Sequence, residues 1–242
     1  MTEYGIIGYP LEHSYSGKIF NLKFEKEGID ACYRLYPIPS IEEFPKILAI
    51  PGLRGLSVTS PYKEQVIPYL DKLCDQASEI KAVNTVKLGD DGITGHNTDI
   101  IGFTRAYEKI IGPESKKALV LGTGGASKAA IYALRNLSHE PQLVSRHKTE
   151  ETITYDELTP EVMEEYEIIV NGTPMGMVGV SVGQAAPIPY ELLTQKHICI
   201  DMIYNPKVTE FIHRAGLMGA TTAGGIEMLK AQAVAAWEIW NS

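Results

Sequence analysis

Ala118-Leu119-Val120-Leu121-Gly122-Thr123-Gly124-Gly125-Ala126-Ser127 is the stretch on which the reading of this chain turns. An apolar strand runs into a glycine turn, and helical spacing follows over Ser127–Leu137. Glycines in that setting let the backbone approach a pyrophosphate at a helix N-terminus, which makes Gly122, Gly124, Gly125 and Ala126 candidate nucleotide contacts. A tight strand-to-helix turn with no ligand satisfies the same pattern. The βαβ context, completed by a strand at Gln142–Ser145, favours the nucleotide.

The tip of that next strand selects the cofactor. A carboxylate there would hold the 2'-hydroxyl of NAD, whereas a basic group accommodates the 2'-phosphate of NADP. The residues are Ser145-Arg146-His147-Lys148, with no carboxylate among them. Arg146 offers a planar fork suited to phosphate and Lys148 a second charge. A solvated basic turn explains the same residues without a ligand.

Outward from this unit, the apolar runs Ile168–Asn171 and Ile198–Ile203 extend a parallel sheet, because strands alternating with helices produce one. A helix opens at Asp99 and ends near Gly112-Pro113, and another covers Ile226–Trp240. The first third alternates strands at Tyr4–Gly8, Tyr33–Ile38 and Leu53–Thr59 with helices at Gly17–Glu27 and Asp71–Lys81. Val83–Leu88 and Gly92-Ile93-Thr94 form a hairpin. The Gly179–Ala186 stretch reads as a mobile surface loop. The fold class is therefore α/β in two lobes, which suits 242 residues.

With 44% hydrophobic and 21% charged residues, and no run near the roughly 18 apolar residues that a membrane helix needs, no membrane partner is expected. The start of the chain carries no export signal pattern. Cys32, Cys74 and Cys199 are odd in number and widely spaced, which argues against disulfides and a zinc site and for a cytoplasmic location. A net charge of -8 without a basic run argues against nucleic acid. No metal is required.

In the first lobe, Thr59-Ser60-Pro61-Tyr62-Lys63 follows a strand, so Lys63 sits near a strand end, where clefts form; a lysine taken by itself is more often a surface charge. Asn97-Thr98-Asp99 lies where the second lobe begins, and Asp99 also reads as a helix N-cap. Hydride transfer to a carbonyl leaves an oxygen that needs a proton, and an ammonium beside a carboxylate would form the acid/base pair.

Taken in order, these segments resemble the shikimate dehydrogenase family from Gly8 to Gln232. Gly8-Tyr9-Pro10, His13-Ser14-Tyr15-Ser16 and Asn21 are similar to its opening signature. The resemblance implies that Ser14 and Ser16 bind the substrate carboxylate, although both also read as helix-start hydroxyls, Ser16 as the cap. Thr59 and Lys63 fall on Thr-x-Pro-x-Lys, Asn84 on Ala-Val-Asn-Thr, and Thr98 with Asp99 on Asn-Thr-Asp. Lys63 and Asp99 thereby acquire the catalytic-pair role. Asn171-Gly172-Thr173-Pro174-Met175-Gly176 looks like the cofactor-side loop, giving Thr173 and Met175. The segment from Asp201 through Met202, Tyr204-Asn205-Pro206 and Thr209 matches the one that reaches nicotinamide and substrate.

By the same resemblance Gly225 is expected near the nicotinamide amide, and Gln232, with Met228-Leu229, on the last helix at the substrate hydroxyls. Gly17, Phe20, Ser57 and Lys81 depart from residues common in the family: proline, histidine, asparagine and glycine respectively. The implied organisation is a substrate-binding catalytic domain, 1–98 plus 225–242, and a Rossmann-like NADP-binding domain, 99–224, with the C-terminal helix returning to the first. The implied reaction is NADPH-dependent reversible reduction of 3-dehydroshikimate to shikimate, on the route to chorismate and the aromatic amino acids. A quinate/shikimate dehydrogenase of relaxed specificity and a non-catalytic sensor of shikimate-pathway metabolites are the alternatives. The expected partner is the small-molecule substrate, and the expected state a monomer or homodimer.

Overall fold

Ile6 and Ile7 point to opposite faces of one strand, and each meets a different hydrophobic core. In the computed structural model, which describes residues 1–242, that strand is β1 (Thr2–Gly8). It is followed by α1 (Ser16–Glu27), β2 (Ala31–Pro37), α2 (Phe44–Leu48) and β3 (Leu53–Val58), then by β4 (Lys72–Leu73), α3 (Asp75–Ile80), β5 (Thr85–Gly89) and β6 (Gly92–His96). These strands form a six-stranded sheet of order β2-β1-β3-β5-β6-β4, in which β5 runs antiparallel to both β3 and β6.

The second half begins with α4 (Thr98–Ile111), β7 (Lys117–Leu121), α5 (Gly125–Asn136), β8 (Glu140–Ser145) and β9 (Thr152–Thr154). It continues through α6 (Pro160–Glu165), β10 (Ile168–Asn171), β11 (Ile198–Asp201), α7 (Glu210–Leu217), β12 (Thr221–Ala223) and α8 (Ile226–Trp240). Its six strands are all parallel, in the order β12-β11-β10-β7-β8-β9. Counted from β7, this is the doubly wound order 3-2-1-4-5-6, with the reversal between β7 and β10. Parallel strands covered on both faces are apolar throughout, and residues 118–121 and 168–170 have essentially no exposed surface.

The chain divides into two compact units, Met1–Thr98 with Gln232–Ser242, and Asp99–Ala231. The return to the first unit thus falls inside α8, later than the position 225 expected from motif order. Trp240 explains why the end of α8 belongs there. Its ring contacts Tyr4, Phe20 and Tyr33, and its Nε1 donates to the Val86 carbonyl at 3.0 Å. A Cβ on Gly55 would lie 2.4 Å from the indole, so only glycine leaves room for the ring. Truncating a buried tryptophan costs about 3–5 kcal/mol, enough to fix a helix end.

Several sequence expectations shift. Asp71–Lys81 is not one helix: Asp71 N donates to Ile93 O, Cys74 N donates to Gly95 O, and the Asp71 carboxylate accepts from Ile93 N at 2.7 Å. Sheet pairing therefore takes the first half and leaves only α3. The strand read as Ile198–Ile203 stops at Asp201, whose carboxylate accepts from Ile203 N and turns the chain. Tyr15, not Ser16, is the N-cap of α1, and Ser16 is a buried residue of its first turn. Asp99 likewise sits inside the first turn of α4 rather than at its cap. The stretch read as a mobile loop is tied at its base, since Ser181 Oγ accepts from Gly176 N and donates to Pro174 O, and Ala186 is buried.

Lys81 terminates α3 in the left-handed region, φ 53° and ψ 43°. A side chain is strained there, and glycine is not. Lys81→Gly is expected to leave stability unchanged or raise it by up to about 1 kcal/mol in urea unfolding, whereas glycine at an ordinary exposed helical position lowers it by a similar amount.

Candidate functional site

The second unit builds its candidate site at the strand-order reversal. Gly122 leaves β7 at φ 94° and donates to Val144 O at 2.9 Å, so the turn is anchored to β8. Gly124 caps α5 without a side chain, and a Cβ placed on it would meet nothing within 4 Å. No side chain caps this helix, so the amides of its first turn, at Gly125 and Ala126, are left for an outside acceptor. Open space beside unsatisfied N–H groups at a helix N-terminus fits a pyrophosphate.

The neighbouring loop closes against this turn. Gly172 N donates to Leu121 O at 3.0 Å, and a Cβ on Gly172 would fall 2.3 Å from Ser127 Oγ. Thr173 brings its methyl to 3.0 Å from the position of a Gly122 Cβ. Asn171 holds the loop, its Oδ1 accepting from Thr173 N at 3.1 Å and Thr173 Oγ1 at 2.6 Å and its Nδ2 donating to Met175 O at 3.3 Å. Thr173, Met175 and the glycine turn are thus brought together. Met202 and Gly225 form a second meeting: Gly225 N donates to Ile203 O at 3.0 Å, and a Cβ on Gly225 would lie 2.3 Å from Met202 O. Tyr204 follows, half-buried.

Arg146 is exposed at the end of β8, and Ser145 Oγ accepts from His147 N at 3.3 Å, which shapes the turn. The Arg146 charge is felt at Tyr155, where it partly opposes the upward push of burial on the phenol. Lys148, expected as a second phosphate charge, pairs at the surface with Glu157. That carboxylate also accepts from Thr154 N and Oγ1, and Lys148 first, then these bonds, hold it down to about 2.

The first unit gathers its polar residues around Asn84. The Asn84 carbonyl oxygen accepts from Thr98 N at 2.6 Å, Thr98 Oγ1 at 3.1 Å and Thr85 Oγ1 at 3.0 Å. A backbone amide as donor fixes the amide orientation, so the Asn84 NH2 points away from these partners. Thr98 Oγ1 also lies 3.3 Å from Gln232 Oε1, which ties the last helix to the Asn-Thr-Asp segment. Ser14 Oγ accepts from Ser16 N at 3.4 Å, pairing the two serines at the start of α1. Thr59 N donates to Ile7 O, and the Lys63 carbonyl accepts from Val83 N at 2.7 Å, so the turn carrying Lys63 is bound to the connection just before Asn84. Lys63 is partly exposed, while Asp99 is 7% exposed.

Asp201 and Asn171 escaped the residue-level reading as interacting groups. The available signal was that each ends an otherwise apolar strand with a polar side chain, which the fold buries. For Asn84 the structure yields a direct expectation. Asn84→Ala strips the acceptor from the buried Thr98 amide, and an unsatisfied buried donor costs about 1–3 kcal/mol. Urea unfolding should show a loss in that range, and no loss would mean that the network relaxes onto water.

A family model described as the shikimate dehydrogenase substrate binding domain matches residues 6–86. The shikimate dehydrogenase (NADP(+)) of Aquifex aeolicus is 38% identical over 253 residues, covering 98% of this chain and 90% of that protein. Its Thermococcus kodakarensis counterpart is 35% identical over the same coverage. Among solved structures, shikimate 5-dehydrogenase from Thermus thermophilus in complex with NADP(H) and shikimate superposes with a TM-score of 0.88 at 30% identity, covering 99% of this chain and 93% of that one. Full-length similarity at this level, on a doubly wound second unit with a glycine turn at its switch point, means that the chain belongs to the shikimate dehydrogenase family.

Proposed function

We propose that this chain is an NADP-dependent shikimate dehydrogenase, an oxidoreductase that interconverts 3-dehydroshikimate and shikimate on the route to chorismate. The single observation that carries the cofactor half is the uncapped α5 N-terminus beside Gly122 and Gly124 at the reversal between β7 and β10. Relatives named for the NADP(+)-linked shikimate enzyme support the substrate half and do not favour the quinate or sensor readings.

In this reading Gly122, Gly124, Gly125 and Ala126 receive the pyrophosphate, and Ser145 and Arg146 the 2'-phosphate. Thr173, Met175, Met202 and Gly225 shape the nicotinamide side. Bound NADPH supplies the hydride. Ser14 and Ser16 hold the substrate carboxylate, while Thr59, Asn84, Tyr204 and Gln232 orient the ring hydroxyls. Asn84 is suited to this because its network uses the carbonyl oxygen and leaves amide hydrogens to donate. Lys63 and Asp99 exchange the proton of the reacting oxygen: Lys63 delivers it during reduction and recovers it during oxidation, with Asp99 as the carboxylate of the pair. The substrate-binding part comprises 1–98 with the end of the last helix, and the NADP-binding part begins at Asp99.

The three cysteines are free thiols, which supports a reducing cytoplasm. No helix is long and apolar enough to cross a membrane.

Lys63→Ala should lower kcat by roughly a hundredfold or more, with a much smaller change in the KM for shikimate, because a positioned proton-transfer group acts in the transition state. Steady-state kinetics decide this, and unchanged turnover removes Lys63 from the mechanism. Arg146→Ala should weaken NADP by about tenfold or more and leave NAD nearly unaffected, since only NADP carries the extra phosphate. Equal losses for both nucleotides would contradict the assignment.

A further inference from the structure

Asp201 ends β11 with no exposed surface. Its Oδ1 accepts from Asn171 Nδ2 at 3.1 Å and from Ile203 N at 3.0 Å, and its Oδ2 accepts from the Thr209 hydroxyl. All three donors are neutral, and no cationic side chain is among its partners. Burying an anion without a cation is costly, and three neutral donors offset it only in part. Burial accordingly pushes the carboxyl up to about 6 against those bonds.

The surrounding ionisable groups do not relieve this. Tyr107 on α4 and Tyr190 before β11 feel the Asp201 charge, although burial is the larger cause of their raised phenols. The further ionisable groups acting on these phenols are Glu227 on α8, Arg214 and Glu210 on α7, and the Cys199 thiol on β11. Because the folded carboxyl titrates above its ordinary 3.8, its stabilising contribution is complete in acid and is lost as pH rises through about 6. At neutral pH the ionised side chain therefore lowers stability.

What the carboxylate gains is geometry. Through Asn171 it fixes Thr173 and Met175, and through Ile203 and Thr209 it fixes the segment that carries Met202 and Tyr204. One side chain holds the loop after β10, beside the switch point, and the segment after β11 next to it. We infer that Asp201 is a positioning residue for nucleotide binding, its ionised carboxylate clamping the loops after β10 and β11 in the shape that the dinucleotide meets. This rests on the NADP reading above.

Asp201→Asn tests it, because asparagine keeps an acceptor for Asn171 and Ile203 but turns an NH2 toward Thr209, which can accept from it. The variant should melt at or above the wild-type temperature at neutral pH while its KM for NADP rises about tenfold, with kcat and the KM for shikimate changing far less. Nucleotide affinity should weaken in the wild type below about pH 6 and stay flat in the variant. NAD serves as a control for titration of the 2'-phosphate. Thr209→Ser should retain the wild-type KM for NADP, and Thr209→Val should not.

An unchanged KM for NADP overturns the proposal. So does a loss that follows a fall in melting temperature and strikes kcat and both KM values alike, since that is the signature of a merely structural residue. Should the wild type show no turnover with shikimate and NADP, the functional reading fails separately. Hydrogen exchange at the Thr173, Met175 and Ile203 amides then decides the clamp: several-fold faster exchange in Asp201→Asn upholds it, and unchanged protection overturns it.

Discussion

Where the order of a parallel sheet reverses, adjacent strands send their chains to opposite faces and leave a crevice at their carboxyl ends. In this protein the reversal lies between β7 and β10, and everything proposed for the cofactor follows from it. The glycine turn after β7, the Asn171–Met175 loop after β10 and the segment after β11 come to the same edge of the sheet. Their close approach is possible because Gly122 and Gly172 lack side chains where Thr173 and Ser127 stand. The order of strands fixes where a dinucleotide can lie, and the glycines fix how near the backbone can come.

Both units use a similar physical device to make flexible connections rigid. In the first, the Asn84 carbonyl oxygen gathers the Thr98 amide and two hydroxyls. In the second, the Asp201 carboxylate gathers Asn171, Ile203 and Thr209. A buried acceptor that is fully engaged rigidifies its donors, because any departure exposes an unsatisfied group in a region of low dielectric. The difference lies in charge. Asn84 is neutral, whereas Asp201 carries a charge for which burial is unfavourable, and that asymmetry directs attention to function at Asp201.

The strands of the second unit are legible because buried parallel strands are apolar runs, and residues 118–121 and 168–170 are nothing else. The glycine turn is legible from its place between strand and helix, and Arg146 from the missing carboxylate. Pairing across the chain is not. Asp71–Lys81 carries helical spacing, and only the remote Ile93 and Gly95 reveal that its first half joins a sheet. The surface pair of Lys148 with Glu157, nine residues away, is likewise visible only in the fold. The small elements β9, α6 and β12 are too short to leave much periodicity, whereas α7 carries an amphipathic spacing and, in Thr209 ahead of Glu210, a capping signal that the residues do offer. Roles for Asn84 and Gln232 come from family resemblance, since their link through Thr98 joins positions far apart in the chain.

The most direct measurement is the initial rate of reduced-nicotinamide formation by the purified protein with shikimate and NADP, compared with quinate and with NAD. Shikimate with NADP should give the highest kcat/KM of the four combinations. Absence of turnover with shikimate and either nucleotide, or a clear preference for quinate with NAD, would contradict the account.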